Sequence, residues 1–273
     1  MGSVSDCPVE ALDRESGRTA SGSQPYLAVV IPAFNEAPTI RDIATRALRQ
    51  VERVIVVDDG SDDGTGTALH GLPVTVLRNP ENLGKAASLR RGMVRALTDG
   101  ASAVVTLDAD AQHVPEDIPR LIAVHVLTPH AIVVGARLHE KDRIPRARYL
   151  ANRFANFWIA WAAGYPISDS QSGFRLYPAT LLSAIDIRND KSPGFVFESA
   201  VLINAARLGV TSVAVDISAL YPAGARASHF RPVVDVLLIA RMVAWKLLTR
   251  GFNIPGLLRS RRCADRAHQS HMA

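Results

Sequence analysis

Asp108 and Asp110 stand one residue apart in Thr106-Leu107-Asp108-Ala109-Asp110-Ala111-Gln112-His113, directly after the apolar run Ala101-Ser102-Ala103-Val104-Val105. At the end of a strand the chain is already turning, so two carboxylates at this spacing can converge on one cation. A hard divalent ion such as Mg²⁺ or Mn²⁺ prefers oxygen ligands and keeps coordination positions open for phosphate oxygens. Gln112 offers an amide oxygen to the same ion. Asp-x-Asp is common in surface loops, so its meaning depends on what surrounds it.

The surroundings are a regular alternation of strands and helices. Tyr26–Pro32 is a continuous apolar run, and residues 37–50 read as a helix with exposed Arg41, Asp42, Arg46 and Arg49. Strands follow in Val-Glu-Arg-Val-Ile-Val-Val-Asp-Asp-Gly (51–60), Val-Thr-Val-Leu-Arg-Asn (74–79), Ser-Ala-Val-Val-Thr-Leu-Asp-Ala-Asp (102–110) and His-Ala-Ile-Val-Val-Gly-Ala-Arg (130–137). Between them lie helical stretches at residues 65–69, 83–97 and 115–127. Apolar strands separated by helices predict an α/β fold with a mostly parallel central sheet flanked by helices. Ligands of such sheets sit beyond the carboxyl ends of the strands. That rule places Asn35, Glu36, Asp58, Asp59, Asp108 and Asp110 along one rim.

After Arg137 the pattern changes. Residues 144–164 predict a long helix carrying Arg146, Arg148 and Arg153 beside Trp158 and Trp161. Asp169–Pro178 reads as a loop entering a strand, residues 197–208 as a helix and residues 211–217 as a last strand. Residues 230–250 are helical in pattern. Arg231, Asp235, Arg241, Lys246 and Arg250 fall on about half of the circumference, with Val234, Leu237, Leu238, Val243, Trp245 and Leu248 mostly opposite. Such a C-terminal amphipathic helix either packs on the core or lies on a membrane.

Gly84 and Lys85 open a helix in Asn-Leu-Gly-Lys-Ala-Ala-Ser-Leu-Arg-Arg-Gly-Met (82–93), where free N–H groups, the helix dipole and an ammonium suit an anion. An ordinary helix start looks the same. Asp-Asp-Gly-Ser-Asp-Asp-Gly-Thr (58–65) has neither the GxGxxG nor the GxxxxGK spacing and so supports neither a Rossmann fingerprint nor a P-loop.

Lys and Arg outnumber Asp and Glu by 31 to 26, a net charge of +5. The excess concentrates at the end, where Arg250, Arg259, Arg261, Arg262 and Arg266 face Asp265 alone. A basic tail suits an anionic surface. Cys7 and Cys263 show no CxxC spacing, which argues against a thiolate metal site or a disulfide framework. Three segments are expected: a disordered polar tail at 1–24, an α/β domain at 25–228, and an amphipathic helix with its basic tail at 229–273. No run reaches the roughly 18 apolar residues that span a bilayer, so the expectation is a cytoplasmic protein, peripheral at the inner face of a membrane.

Taken in order, the stretches at 29–40, 54–65, 82–93, 106–118, 133–137 and 169–178 resemble family 2 glycosyltransferases of the GT-A fold. They are most similar to the subgroup of dolichol-phosphate mannosyltransferase and bacterial polyprenyl-phosphate glycosyltransferases. The resemblance spans roughly Tyr26 to Arg231. It implies inverting transfer of a sugar from a nucleotide-diphosphate donor, with a divalent ion on the diphosphate. By position it puts Pro32, Ala33, Asn35 and Glu36 in the nucleotide pocket, Asp59 on the base, and Asp108 and Ala109 against the nucleotide sugar. It makes Asp110 and Gln112 metal ligands, with Asp108 contributing. Lys85 would join the donor site, Arg137 would face the donor diphosphate or the acceptor, and Arg153 and Arg175 would meet the acceptor. The pattern departs at Tyr221–Arg231, where His229 stands in place of a lysine and Ala223 in place of an arginine; His229 and Arg231 are then the candidates for gripping the diphosphate, with Arg226 as an alternative.

A phosphate acceptor is anionic at neutral pH and needs no general base, whereas a hydroxyl acceptor needs a carboxylate within reach. Asp169 and Glu198 are the candidates for that base. The rivals are an aspartyl-nucleophile phosphatase built on Asp108, disfavoured because Ala111 and Gln112 stand where Thr or Ser is usual, and a non-catalytic membrane scaffold. No recognition motif or aromatic-studded basic sheet supports nucleic-acid binding.

Overall fold

The computed structural model describes residues 26–136, 146–188, 194–218, 232–249, 251–254 and 256–258. The expected N-terminal tail and the end after Leu258 lie outside these, as do Arg137, Arg226, His229 and Arg231.

In chain order the elements are β1 (Tyr26–Ala33), α1 (Ala37–Leu48), β2 (Arg53–Asp58), α2 (Thr65–Ala68), β3 (Thr75–Arg78), α3 (Lys85–Thr98) and β4 (Ala101–Thr106). A 3₁₀ turn at Pro115–Asp117 leads into α4 (Ile118–Leu127) and β5 (Ile132–Ala136). Then come α5 (Arg146–Ala163), β6 (Arg175–Pro178), α6 (Ala179–Ala184), α7 (Gly194–Arg207), β7 (Ser212–Asp216) and α8 (Pro232–Leu248), followed by a 3₁₀ turn at Gly251–Asn253. The expected α/β class stands, and α6 is the one helix the sequence did not announce.

The seven strands form one sheet in the order β3-β2-β1-β4-β6-β5-β7. All neighbours are parallel except that β6 runs antiparallel to both β4 and β5. This reversal has a consequence for function. The amino end of β6 lies at the same rim as the carboxyl ends of β1, β2 and β4, so the loop before Arg175 is delivered to that rim.

Strand residues alternate between two cores because successive side chains point to opposite faces. Ala28, Val30, Ile55, Val57, Val104 and Val134 pack with Met93 of α3 and Phe197 of α7. Val29, Ile31, Val54, Val56, Val105 and Val133 pack with Ile40 of α1 and Ile118 of α4. Each fully buried aliphatic side chain contributes about 1.5–3 kcal/mol. At Gly92 even a methyl group would collide with Val30, so α3 lies directly on β1 and its amino end is fixed against the rim.

Helix α8 packs on α5 and α7. Ile239, Val243 and Leu247, spaced by four, form its buried stripe, and Lys246 Nζ donates to Asn204 Oδ1 at 2.6 Å. The predicted apolar half is therefore divided. Val243 faces the core, whereas Trp245 and Leu248 stay exposed, because burial follows the neighbouring helices rather than hydropathy alone.

Candidate active site

The rim is built by three adjacent strand ends. Asp59 N–H donates to Ala33 O at 2.8 Å and Leu107 N–H to Val30 O at 3.1 Å, which ties the segments after β2 and β4 to β1. Beyond β1 the chain turns at Asn35, whose φ of 55° lies in the left-handed region. Asn is among the residues that tolerate this conformation. Its N–H donates to Ser61 Oγ at 3.0 Å and its Oδ1 accepts from Asp62 N–H at 3.0 Å. Glu36 N–H donates to Thr65 Oγ1 at 2.8 Å, and Asp63 caps α1 by accepting from Ala37 N–H at 3.0 Å. Asn35 and Glu36 are half-buried, while Pro32 and Ala33 are buried within β1.

Asp58 and Asp59 are both buried at this rim. Asp58 is ion-paired with Arg78 and accepts from Ser61 N–H at 3.0 Å. Asp59 accepts from Asn79 Nδ2 at 2.6 Å and Leu83 N–H at 3.0 Å on Oδ1, and from Gly84 N–H at 2.8 Å on Oδ2. Asp59 therefore shapes the loop that delivers Lys85.

After β4 the chain turns at Ala111, φ 58°, and Gln112 N–H donates to Asp110 Oδ1 at 3.0 Å. This short turn holds Asp108, Asp110 and Gln112 half-buried at the rim around buried Ala109. Thr39 Oγ1 donates to Ala109 O at 2.7 Å and fastens the turn to α1. Nothing in the local sequence marks Thr39 for this role.

Lys85, at the start of α3, meets this turn. Its Nζ lies 2.7 Å from Asp108 Oδ1 and 3.4 Å from Glu198 Oε2, so α3, the post-β4 turn and α7 converge on one ammonium. Burial alone would lower the pKa of Lys85, but Asp108 and then Glu198 outweigh it and hold the group above its ordinary value. The lysine is therefore a fixed cation at neutral pH. Glu198 is buried and its Oε1 has no hydrogen-bond partner.

The loop before β6 closes the site. Thr106 Oγ1 donates to Gly173 O at 2.7 Å. A Cβ on Gly173 would stand 2.5 Å from Asp108 Oδ2 and 2.9 Å from Lys85 Nζ, so only glycine leaves room for the pair. Asp169 Oδ1 accepts from Gln171 N–H at 2.9 Å and Ser172 N–H at 3.1 Å, which folds the loop.

Arg175, expected at the acceptor, is placed elsewhere. It is fully buried, and its guanidinium donates to Ser172 O at 2.7 Å, Ser170 O at 2.8 Å and Glu198 O at 2.8 Å. A side chain this committed clamps the loop to α7, and the strand alternation that buries it was not visible across an antiparallel β6. Arg153 is exposed on α5. On the same helix Asn156 Nδ2 donates to Ser168 O at 3.0 Å, and its Oδ1 accepts from Ser170 N–H at 2.9 Å. Helix α5 thus abuts the loop that carries Gly173.

Among the described residues no group of three or more His, Cys, Asp or Glu side chains forms a ready metal cage. Mg²⁺ and Mn²⁺ do not require one, since they are often held by one or two carboxylates together with substrate phosphates. The all-oxygen set of Asp108, Asp110 and Gln112 fits that mode.

Sheet order, the antiparallel β6 and the acidic turn beyond β4 define a GT-A fold. The chain belongs to Glycosyl transferase family 2, whose profile matches residues 28–184, more than half of its length. It is 31% identical over 202 residues to polyprenol monophosphomannose synthase of Mycolicibacterium smegmatis, covering 70% of this chain and 76% of the relative. It is 28% identical over 178 residues to UDP-N-acetylglucosamine--dolichyl-phosphate N-acetylglucosaminyltransferase of Methanococcus voltae, covering 58% and 71%. Among solved structures it is similar in fold to glucosyl-3-phosphoglycerate synthase from Mycobacterium tuberculosis in complex with Mn²⁺, UDP and glucosyl-3-phosphoglycerate. There the TM-score is 0.56 at 23% identity, covering 89% of this chain and 88% of that one.

Proposed function

We propose that this glycosyltransferase moves a sugar, with inversion, from a nucleotide-diphosphate donor to a polyprenyl phosphate. The observation that carries the reading is the meeting of Lys85, Asp108 and Glu198 at the rim beside the Asp110 turn. The named lipid-phosphate substrates of the relatives support the acceptor class.

Asn35, Glu36 and Asp59 surround the end where the nucleotide would lie, with Pro32 and Ala33 as its floor. Asp108, Asp110 and the Gln112 amide oxygen would hold a Mg²⁺ or Mn²⁺, which supplies positive charge against the growing charge of a departing diphosphate. Lys85 supplies a second, permanent positive charge at the same place. Outside the described residues, Arg137, His229 and Arg231 remain the candidates for the diphosphate. The acceptor phosphate, already anionic, would attack the anomeric carbon from the side of the Asp169–Gly173 loop, with Arg153 as its counter-charge. No general base is needed for this acceptor.

Transfer to a hydroxyl is the second reading. Its favouring observation is Glu198 Oε1, a buried carboxylate oxygen with no partner, which would take the proton. Asp169 serves less well, because its Oδ1 is engaged by two backbone N–H groups.

The test is a Mn²⁺-supplemented transfer assay with a panel of nucleotide sugars and a short-chain polyprenyl phosphate, beside Asp110→Asn. Product should form with the parent and fall by about 10²–10³ in the variant, the scale for removing one electrostatic stabiliser. Transfer to hydroxyl acceptors only would establish the second reading. Hydrolysis of p-nitrophenyl phosphate without transfer would overturn both.

A further inference from the structure

Among the described residues no helix is long and apolar enough to cross a membrane. We propose that a composite aromatic face is the surface on which this protein docks to an anionic bilayer. It comprises Phe154 and Phe157 of α5, Trp245 and Leu248 of α8, and Phe252 and Ile254 of the C-terminal hook. The proposal deepens the lipid-acceptor reading and rests on it only for the purpose of docking.

Phe154 is 58% exposed, Trp245 68% and Phe252 53%, whereas Phe174, Phe197 and Tyr177 are fully buried. On α5 the exposed rings are not scattered singly. Phe154, Phe157 and Trp161 are spaced three and four apart on one face of α5, and the rings run on without a break. Phe154 is 5.9 Å from Trp158, Phe157 is 6.2 Å from Trp161, and Trp158 stacks on Trp161 at 5.2 Å.

The hook is latched to this stack. Trp161 Nε1 donates to Phe252 O at 2.9 Å, and Asn253 Nδ2 donates back to Trp161 O at 3.1 Å. To make that turn Phe252 and Asn253 adopt φ of 62° and 40°. A bulky residue in the left-handed region is strained, yet the latch holds Phe252 there with its ring outward.

The charge around the face selects the occupant. Arg153, next to Phe154 on α5, and Arg241, four residues before Trp245 and so on the same side of α8, are exposed, and in the sequence four arginines follow Leu258 against Asp265 alone. Aromatic rings flanked by basic side chains suit the headgroup region of an anionic bilayer. The face also has the right neighbour. Asn156, between the two phenylalanines, holds the loop that runs to Gly173 beside Asp108. A bilayer on this face would present a lipid phosphate next to the site.

The experiment is co-sedimentation with vesicles of equal parts phosphatidylcholine and phosphatidylglycerol, at low and at high NaCl. It compares the full chain, the double variant Phe154→Gln/Phe252→Gln, and Trp245→Gln, whose side chain is too exposed to affect folding. Partition of the double variant should fall about a hundredfold at both salt levels, the scale for keeping two aromatic side chains out of the bilayer. The single variant should fall by about tenfold, and the tryptophan emission of the parent should shift to the blue on binding. Partition unchanged in all variants, or parent binding wholly abolished by salt, would overturn the proposal. So would a parent dimer that becomes monomeric in the variants while vesicles bind neither, since the occupant would then be a second copy. Turnover of a water-soluble short-chain isoprenyl phosphate is measured in parallel and should be equal in parent and variants. If no protein turns it over yet partition falls as expected, the lipid-acceptor function fails and the docking surface stands.

Discussion

Lys85 Nζ sits 2.7 Å from Asp108 Oδ1, joining the first residue of α3 to the turn after β4 across 23 positions of sequence. The pair is enclosed by Gly173, whose missing side chain leaves a slot fitted to an ammonium. Replacing Lys85 by Met removes this charge-assisted contact and leaves Asp108 and Glu198 facing one another. Donor binding in the presence of Mn²⁺ should weaken by about 1.5–3 kcal/mol. Lys85→Arg should not restore it, because a guanidinium is larger and planar. Titration calorimetry with nucleoside diphosphates reads both. An unchanged affinity in Lys85→Met would leave the lysine with only the task of holding Asp108.

Asp59 is expected to act twice, since its carboxylate accepts three hydrogen bonds from the loop that carries Lys85. Asp59→Ala should cost about 3 kcal/mol of folding stability, from buried donors left unpaired, and should weaken donor binding by about 1.5–3 kcal/mol. Urea denaturation and calorimetry separate the two effects. Lost stability with intact donor affinity would assign Asp59 to loop architecture alone.

Arg175→Met should be among the most damaging substitutions in the chain. Three backbone carbonyls lose their donor inside the protein, with an expected loss of about 3 kcal/mol or more. The denaturation midpoint should drop and, in whatever folded protein remains, the loop carrying Gly173 should exchange its amide hydrogens faster. A stable variant with only a raised KM for the acceptor would instead return Arg175 to the role its motif suggested.

The α/β class, the rim and the acidic turn were legible in the sequence because they rest on local signals. Two β-branched runs separated by a helix, such as those of β1 and β2, have a connection long enough for the crossover that parallel pairing requires. The carboxyl ends of such strands then fall together, and Asp108 and Asp110 follow one of them directly. Gly84 and Lys85 were also legible as a helix start, one that suits an anion or is simply ordinary, but not the two carboxylates that Lys85 meets. What lay beyond the sequence was every relationship that depends on β6. Its reversed direction brings the Asp169–Gly173 loop to the rim, places Gly173 over Asp108, and turns Arg175 inward instead of toward an acceptor. Periodicity reports which residues are buried, not the direction in which a short strand joins its sheet. The same limit applies to α8, whose apolar residues are divided between core and solvent by where α5 and α7 happen to lie. Side-chain chemistry is written locally, but a site made by three elements distant in the chain exists only once packing has set their positions.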